Sequence, residues 1–157
     1  MAQPQRGTSP NVYPIMPFEV RIERERDNEA VLEVWQRPLN GRAAREPEAT
    51  RVARLRGLAL HIAWEHLMLV LQRAGVRATR LSPAQRERSV SVPEEVGVRL
   101  ALLAATVAPL RKLQRIETTA DAIGRMSYDE ACYWYAHSRS EHGGRALRAL
   151  RLLLAPE

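Results

Sequence analysis

Residues 58–71 read LALHIAWEHLMLVL, apolar apart from His61, Glu65 and His66. A run of that length is too long for one strand, about 5–6 residues, and too short and too interrupted for a bilayer, which takes about 20 apolar residues. The consistent reading is a helix apolar nearly all round, the central one, covered on most sides by the rest of the chain. The spacing predicts that this helix starts at about Pro47 or Glu48. Its first half is amphipathic, with Arg51, Arg54 and Arg56 beside Val52, Leu55 and Leu58. It runs to Ala74, and Gly75 closes it at the left-handed cap position.

The cover has to come from a chain of 157 residues, 45% of them hydrophobic, which suits one domain with a real core. Residues 1–16, rich in Pro, Gln, Ser and Gly and without periodicity, read as a flexible arm. Residues 17–157 read as a single α+β domain. In FEVRIERE, Phe18, Val20 and Ile22 alternate with Glu19, Arg21 and Glu23, the period of a half-buried strand. Asp27-Asn28 supplies a turn, and Val31–Trp35 a second β-rich run. A hairpin within 17–37 follows. Alone it is marginal in water, so it must pack on helices or pair with another strand or a partner.

Residues 38–48 form a connector with Pro and Asn-Gly, and residues 76–92 a polar one with one helical turn or a short extended piece at 89–92. Ser91-Val92-Pro93-Glu94, a serine cap with a carboxylate three residues on and proline in the first turn, opens the next helix, with Val96, Leu100, Leu103, Val107 and Leu110 at helical spacing. Pro109 ends or kinks it, and RKLQRIETTADAIGRM continues as a second segment. Ser127-Tyr128-Asp129-Glu130 starts a helix through about Ser138. Gly143-Gly144 breaks the chain before a last helix, Arg145–Leu154, with Leu147, Leu150 and Leu154 inward. The expected fold is α+β and mainly α: an N-terminal β-hairpin packed on a helical body over 47–155, a bundle of about four to five helices.

The 24 basic residues outnumber the 18 acidic ones, a formal charge of +6. Residues 1–50 carry 7 basic and 8 acidic side chains, whereas residues 51–157 carry 17 and 10. A basic C-terminal two-thirds is the electrostatic footprint of a chain that meets phosphate or an acidic partner. Lys112 is the only lysine. An arginine-rich, lysine-poor composition also arises from a GC-rich genome, and arginine stems cover apolar surface whatever their heads do. The single cysteine, Cys132, excludes an internal disulfide and suits a reducing compartment. With no signal-peptide layout in Met1–Arg6, the expectation is a cytoplasmic protein off the membrane.

Catalytic motifs are missing. His61 and Glu65 share a helix face, but His61 and His66 are five apart and stand about 140° around the helix, so they do not grip one metal ion. A polar stripe pairing with arginines of a neighbouring helix accounts for them. Cys132, His137 and His142 match no standard zinc spacing, and Cys132 has no paired base to make it a nucleophile. Neither a P-loop nor a GxGxxG segment occurs. No catalytic residue, no metal and no cofactor is expected. Gly143-Gly144-Arg145 offers backbone N–H groups at a helix start where an anion could sit, or is simply a flexible break.

The most informative cluster lies near the C-terminus. Arg111, Lys112 and Arg115 lie together, and Arg145, Arg148 and Arg151 recur every three residues within about a 120° sector. Leu147, Leu150 and Leu154 occupy the other side. These six cations are the candidate nucleic-acid contacts. Tyr133-Trp134-Tyr135 cannot all point inward. Tyr133 and Trp134 are the candidates for stacking on a base or filling a partner's pocket, the alternative being that Tyr128, Cys132 and Tyr135 form a core stripe while Trp134 packs on the last helix.

These residues also carry a resemblance. Glu94, Glu95, Gly97, Arg99 and Leu100 fit an E-E-x-G-x-R-L stretch. Met126, Ser127, Glu130, Ala131, Tyr133, Trp134 and Tyr135 fit M-S-x-E-E-A-x-Y-W-Y, with Asp129 at its first acidic position. Ala146–Leu154 fits A-L-R-A-L-R-x-L-L. The pattern resembles a family of small uncharacterised bacterial proteins encoded in antiviral defence gene clusters, beside large ATPases, helicases and DNA methylases. It covers about residues 92–155 and, more weakly, the hairpin. The resemblance implies an accessory role without catalytic residues. In size, basicity and helix content the chain is also similar to the small helical subunits of CRISPR effector complexes, though no motif ties it to them.

The expected function is therefore a non-enzymatic accessory subunit of a bacterial antiviral-defence or DNA-processing complex. Its partners would be larger protein subunits and the backbone of DNA or RNA. The alternative is a protein–protein adaptor whose arginines are solvated surface.

Overall fold

The computed structural model describes residues 18–25, 29–37, 49–75, 83 and 88–156. The proposed 1–16 arm, the Asp27-Asn28 turn, the 38–48 connector and most of the connector after Gly75 lie outside the described residues.

The alternation from Phe18 delivers β1 (Phe18–Arg24), paired antiparallel with β2 (Ala30–Gln36) from Phe18↔Gln36 to Arg24↔Ala30. The expected hairpin is present, but it is the middle of a larger sheet. β3 (Thr50–Arg56) pairs with the outer side of β2, and β4 (Arg88–Val92) pairs with β1, giving the order β3-β2-β1-β4. β4 is the extended piece expected near 89–92, and through it the marginal hairpin gains another strand.

β3 corrects the expected helix start at residue 47 or 48: residues 50–56 are strand. The register explains why the sequence looks helical there. Val34 faces Ala53 while Trp35 faces Arg51, so Val52 is an extra residue, a β-bulge. Without it, Arg51 would lie on the same face as Ala53 and Leu55. With it, Arg51, Arg54 and Arg56 all lie on the outer face of the sheet, opposite Trp35, Glu33 and Val31. The bulge replaces one step of two, from Arg51 to Arg54, with a step of three, and that step imitates a helix.

Gly57, at φ +71°, turns the chain from β3 into α1 (Gly57–Arg73), and Gly75, at φ +81°, closes it as expected. α1 is not the most enclosed helix. It buries Leu60, Ala63, Trp64, Leu67, Val70 and Leu71, but exposes Leu58, His61, Glu65 and Leu69. The central position belongs to α2 (Glu94–Val107), which is buried along nearly its whole length. α2 lies under the sheet and packs against all the later helices: α3 (Leu113–Arg125), α4 (Tyr128–Ser138) and α5 (Gly143–Leu154). α1 is apolar beyond the side it turns to the sheet and α2 because α3 covers a second side of it. The separation of α2 from α3 at Pro109 and the capping of α4 by Ser127, whose hydroxyl accepts from the Glu130 N–H, are as the sequence predicts, whereas the expected serine cap of α2 is not made: Ser91 lies in β4, and Pro93 precedes the helix without a side-chain cap.

The core joins the inner face of the sheet (Phe18, Val20, Ile22, Leu32, Val34, Ala53, Leu55) to α1 and α2, and continues into α3 through Ile116, Ala120 and Ile123. The fold is thus α+β and mainly α, with a four-stranded antiparallel sheet and five helices among the described residues. None of those helices is long and apolar enough to cross a membrane.

Candidate nucleic-acid interface

The arginines divide into two populations. On the outer face of the sheet they are matched by glutamates. Glu33 on β2 accepts from Arg51 at 3.1 Å and from Trp35 Nε1 at 3.0 Å, and it lies 3.8 Å from Arg54 Nε. Arg54 reaches Glu25 at 2.6 Å, and Arg56 pairs with Glu25 and, at 2.9 Å, with Glu29. On β1, Glu19 is held by Ser89 of β4, by Arg21 at 3.1 Å and by Arg37 at 3.8 Å. Arg21 also stacks over the Trp35 ring, 4.4 Å from its centroid. This face is a lattice of alternating charge with little field to offer a phosphate backbone.

The helical end differs. Lys112, Arg145, Arg148 and Arg151 form no ion pair among the described residues. Arg115 Nη2 donates to the Ala155 carbonyl at 3.1 Å, tying the start of α3 to the end of α5. The two helices thereby bring Arg115, Arg148 and Arg151 into mutual range. Burial lowers the Arg151 guanidinium below its usual range, and the charges of Arg148 and Arg115 push the same way. Beside Arg115 a cleft of about 390 Å³ is lined by Lys112, Gln114, Thr118, Ala155 and Pro156. Arg145 and Arg148 are exposed, and Leu150 packs inward opposite them, as the spacing predicts.

Of the six candidate cations, Arg111 stands apart. It lines a different cleft, with Arg54, Arg56, Leu58 and Leu113. Lys112 and Arg111 are adjacent in sequence but serve two surfaces, because the chain turns into α3 between them and Leu113.

Among the aromatics, Tyr133 is 55% exposed while Trp134 is half-buried against the core. Tyr133 packs edge-on against Trp134, centroids 5.3 Å apart, and lies 4.1 Å from the His137 ring. Tyr128, Cys132 and Tyr135 form the stripe facing the core. Tyr135 donates to Gln36 Oε1 at 2.6 Å and meets Phe18 edge-on at 6.0 Å.

The remaining candidates resolve structurally. His61 and Glu65 are exposed. His66 meets carboxylates and not the expected arginines, with Asp121 Oδ1 3.1 Å from Nδ1 and Glu117 Oε2 3.5 Å from Nε2, both on α3. Among the described residues no three of His, Cys, Asp and Glu stand close enough to hold a metal ion. Gly143 is needed for a tight approach, since a Cβ there would lie 2.2 Å from the Ser138 carbonyl oxygen.

Arg99, read in the sequence only as part of a motif, and Tyr128 organise the join between α2 and the end of α3. Arg99, 4% exposed, donates to Glu95 at 2.9 and 3.1 Å and to the carbonyls of Ile123 and Met126 at 2.7 and 2.9 Å. Tyr128 donates to Glu94 at 2.9 Å, and burial with that bond raises its phenol well above the usual range. The i,i+4 spacing of Glu95 and Arg99 is the one signal of this in the sequence. The E-E-x-G-x-R-L and M-S segments are therefore bonded to each other.

Comparison with curated proteins and with solved structures found no match. A family model does match, over residues 18–156, from the first strand of the sheet to the end of the helical body. The chain belongs to the family described as Domain of unknown function (DUF7680).

Proposed function

We propose that this protein is a non-enzymatic accessory subunit of a bacterial antiviral-defence or DNA-processing complex, and that the end formed by α3 and α5 tracks a nucleic-acid backbone. The observation that carries the reading is the partition of arginine. Sheet arginines are neutralised by glutamates, whereas Lys112, Arg145, Arg148 and Arg151 form no ion pair among the described residues, and Arg148 and Arg115 lie within electrostatic range of Arg151. Like charges brought together cost stability in the free protein, and phosphates relieve that cost by displacing counterions. Arg145 extends the track along α5, and exposed Tyr133 offers a ring for a base or a partner's pocket. The defence setting rests on the resemblance of the three motif segments. Contacts of this kind position and do not specify, so binding is sequence-tolerant.

The test is a titration of labelled single-stranded and duplex DNA and RNA across a salt series, with Arg145/Arg148/Arg151→Ala alongside. A log–log salt slope of about −0.7 per phosphate contacted on a single strand is expected, and the triple variant should make it shallower by about 2. No binding by the folded chain at low salt, or an unchanged slope in the variant, rejects the backbone reading and leaves the adaptor.

A further inference from the structure

We propose that the cleft where β3 runs into α1 is a docking site for an acidic, leucine-bearing segment of a partner protein. This surface is distinct from the Lys112–Arg151 end, and it stands or falls without nucleic-acid binding.

The cleft, about 530 Å³, lies between the β3–α1 junction and the turn from α2 to α3. That volume falls in the range of sites that enclose a ligand. Leu58, 66% exposed at the start of α1, and Leu113, 49% exposed at the start of α3, both line it. Two leucines left in water on opposite walls of one cavity are an unusual placement for a soluble domain, and apolar side chains inserted between them remove both from solvent.

The polar lining sets the sign of the occupant. Arg54, Arg56 and Arg111 line the cleft with, among the described residues, one acid, Glu29. Arg54 and Arg56 are paired with Glu25, Glu29 and Glu33, so the charge left for an occupant is that of Arg111, which forms no ion pair among the described residues. One unpaired guanidinium at the edge of an apolar floor is complementary to leucine-like side chains flanked by Asp or Glu. Nucleic acid fits less well. The walls are aliphatic, and among the described residues no aromatic ring lines the cleft to stack on a base. Gly57 fixes one wall: its φ of +71° is left-handed, and a Cβ there would stand 2.8 Å from Glu29 Oε2.

The experiment is a panning of the immobilised full chain with a display library of random dodecamer peptides. Enriched peptides are then synthesised with a fluorescent label and titrated against the wild type, Leu58→Glu, Arg111→Glu and Leu153→Glu. Leu58 and Leu153 are exposed, so these variants keep the fold, which circular dichroism checks. Expected are enriched peptides that combine two apolar residues with at least two Asp or Glu. Leu58→Glu and Arg111→Glu should each weaken them about tenfold or more, and Leu153→Glu, outside the cleft, should not. Failure to enrich any peptide, enrichment without an acidic bias, or equal binding to all variants overturns the proposal. So does a result in which Leu58→Glu and Arg111→Glu spare peptide binding but abolish oligonucleotide binding, which would give the cleft to nucleic acid.

Discussion

Arg99 Nη1 lies 2.7 Å from the carbonyl oxygen of Ile123, so a side chain of α2 caps the C-terminal end of α3. The same nitrogen reaches the Met126 carbonyl at 2.9 Å, and the other guanidinium nitrogens hold Glu95. A helix end leaves carbonyls without intrahelical partners, and burying them unsatisfied is costly. One guanidinium meets that demand while its charge is balanced by a carboxylate four residues back.

Replacing Arg99 by Met therefore strips two buried carbonyls and Glu95 of their donor. The expected loss is about 3 kcal/mol, in the range for breaking a buried pair by removing one partner. Arg99→Lys should recover less than half of this, because an ammonium cannot span Glu95 and both carbonyls at once. Urea denaturation of the three proteins measures it. A loss under 1 kcal/mol for Arg99→Met would show that water replaces the guanidinium at no great cost.

Gly97 is the second motif residue with a structural reason. A Cβ at this position would lie 2.2 Å from Phe18 Cγ, with the ring itself 1% exposed beneath the sheet. Alanine in mid-helix gains up to about 1 kcal/mol of helix propensity over glycine. Here the Phe18 ring cannot retreat, since Tyr135 packs edge-on against it. Overpacking wins, and Gly97→Ala should be destabilising by about 2 kcal/mol net. Phe18→Leu placed in the Gly97→Ala background should cost less than Phe18→Leu alone, a coupling that a double-mutant cycle reads directly.

What the sequence made legible divides along physical lines. The hairpin, α4 and the body of α5 were readable because their signals are local: strict alternation, a Ser127 cap, leucines at helical spacing; the expected break at Gly143-Gly144 is instead the first turn of α5. β3 was not, because the bulge at Val52 erases the alternation that marks a strand. Its strand character rests on pairing with β2, which no local window contains. The same holds for the centre of the fold. The run Leu58–Leu71 and the stretch Val96–Val107 are both apolar, and only the packing shows that α2 is enclosed and α1 keeps an exposed face. The basic track was half legible: three-residue spacing put Arg145, Arg148 and Arg151 on one side of α5. Nothing in the sequence said that Arg115 joins them, or that Arg111 belongs to another cleft.

Glu19 ties three strands of the sheet together at their outer face and should mark the acid limb of stability. The Ser89 hydroxyl holds its carboxyl below the ordinary 4.5, with help from Arg21 and Arg37 against a smaller opposing effect of burial. A carboxyl depressed by folding contributes stability above its unfolded value and loses it as pH falls through the folded one. Glu19→Gln should thus be about 1 kcal/mol less stable than wild type at pH 7. The gap should close as pH falls below 4.5 and on through the lower folded value, where the wild type protonates. Ser89→Ala should shrink the gap at neutral pH. A gap that stays constant down to pH 3 would assign it to packing and not to charge.

Tyr135 governs the opposite limb. Its ring is wedged between Phe18 and the end of β2, where the hydroxyl donates to Gln36, and burial pushes the phenol up to about 12 against the weaker pull of Arg139. A group whose value is raised on folding stabilises the protein fully below its unfolded value of 10.0 and less as pH rises toward the folded one. Wild-type stability should accordingly decline between pH 10 and 12, beyond any change near neutrality. Tyr135→Phe should cost about 1 kcal/mol at pH 8 through the lost hydrogen bond, and should flatten part of that decline. Tyr128, raised in the same direction, should supply the rest, so Tyr128→Phe/Tyr135→Phe should be the flatter of the two variants. Denaturant midpoints at pH 8, 10 and 11 decide it. If Tyr135→Phe falls as steeply as the wild type, the alkaline limb belongs to other groups.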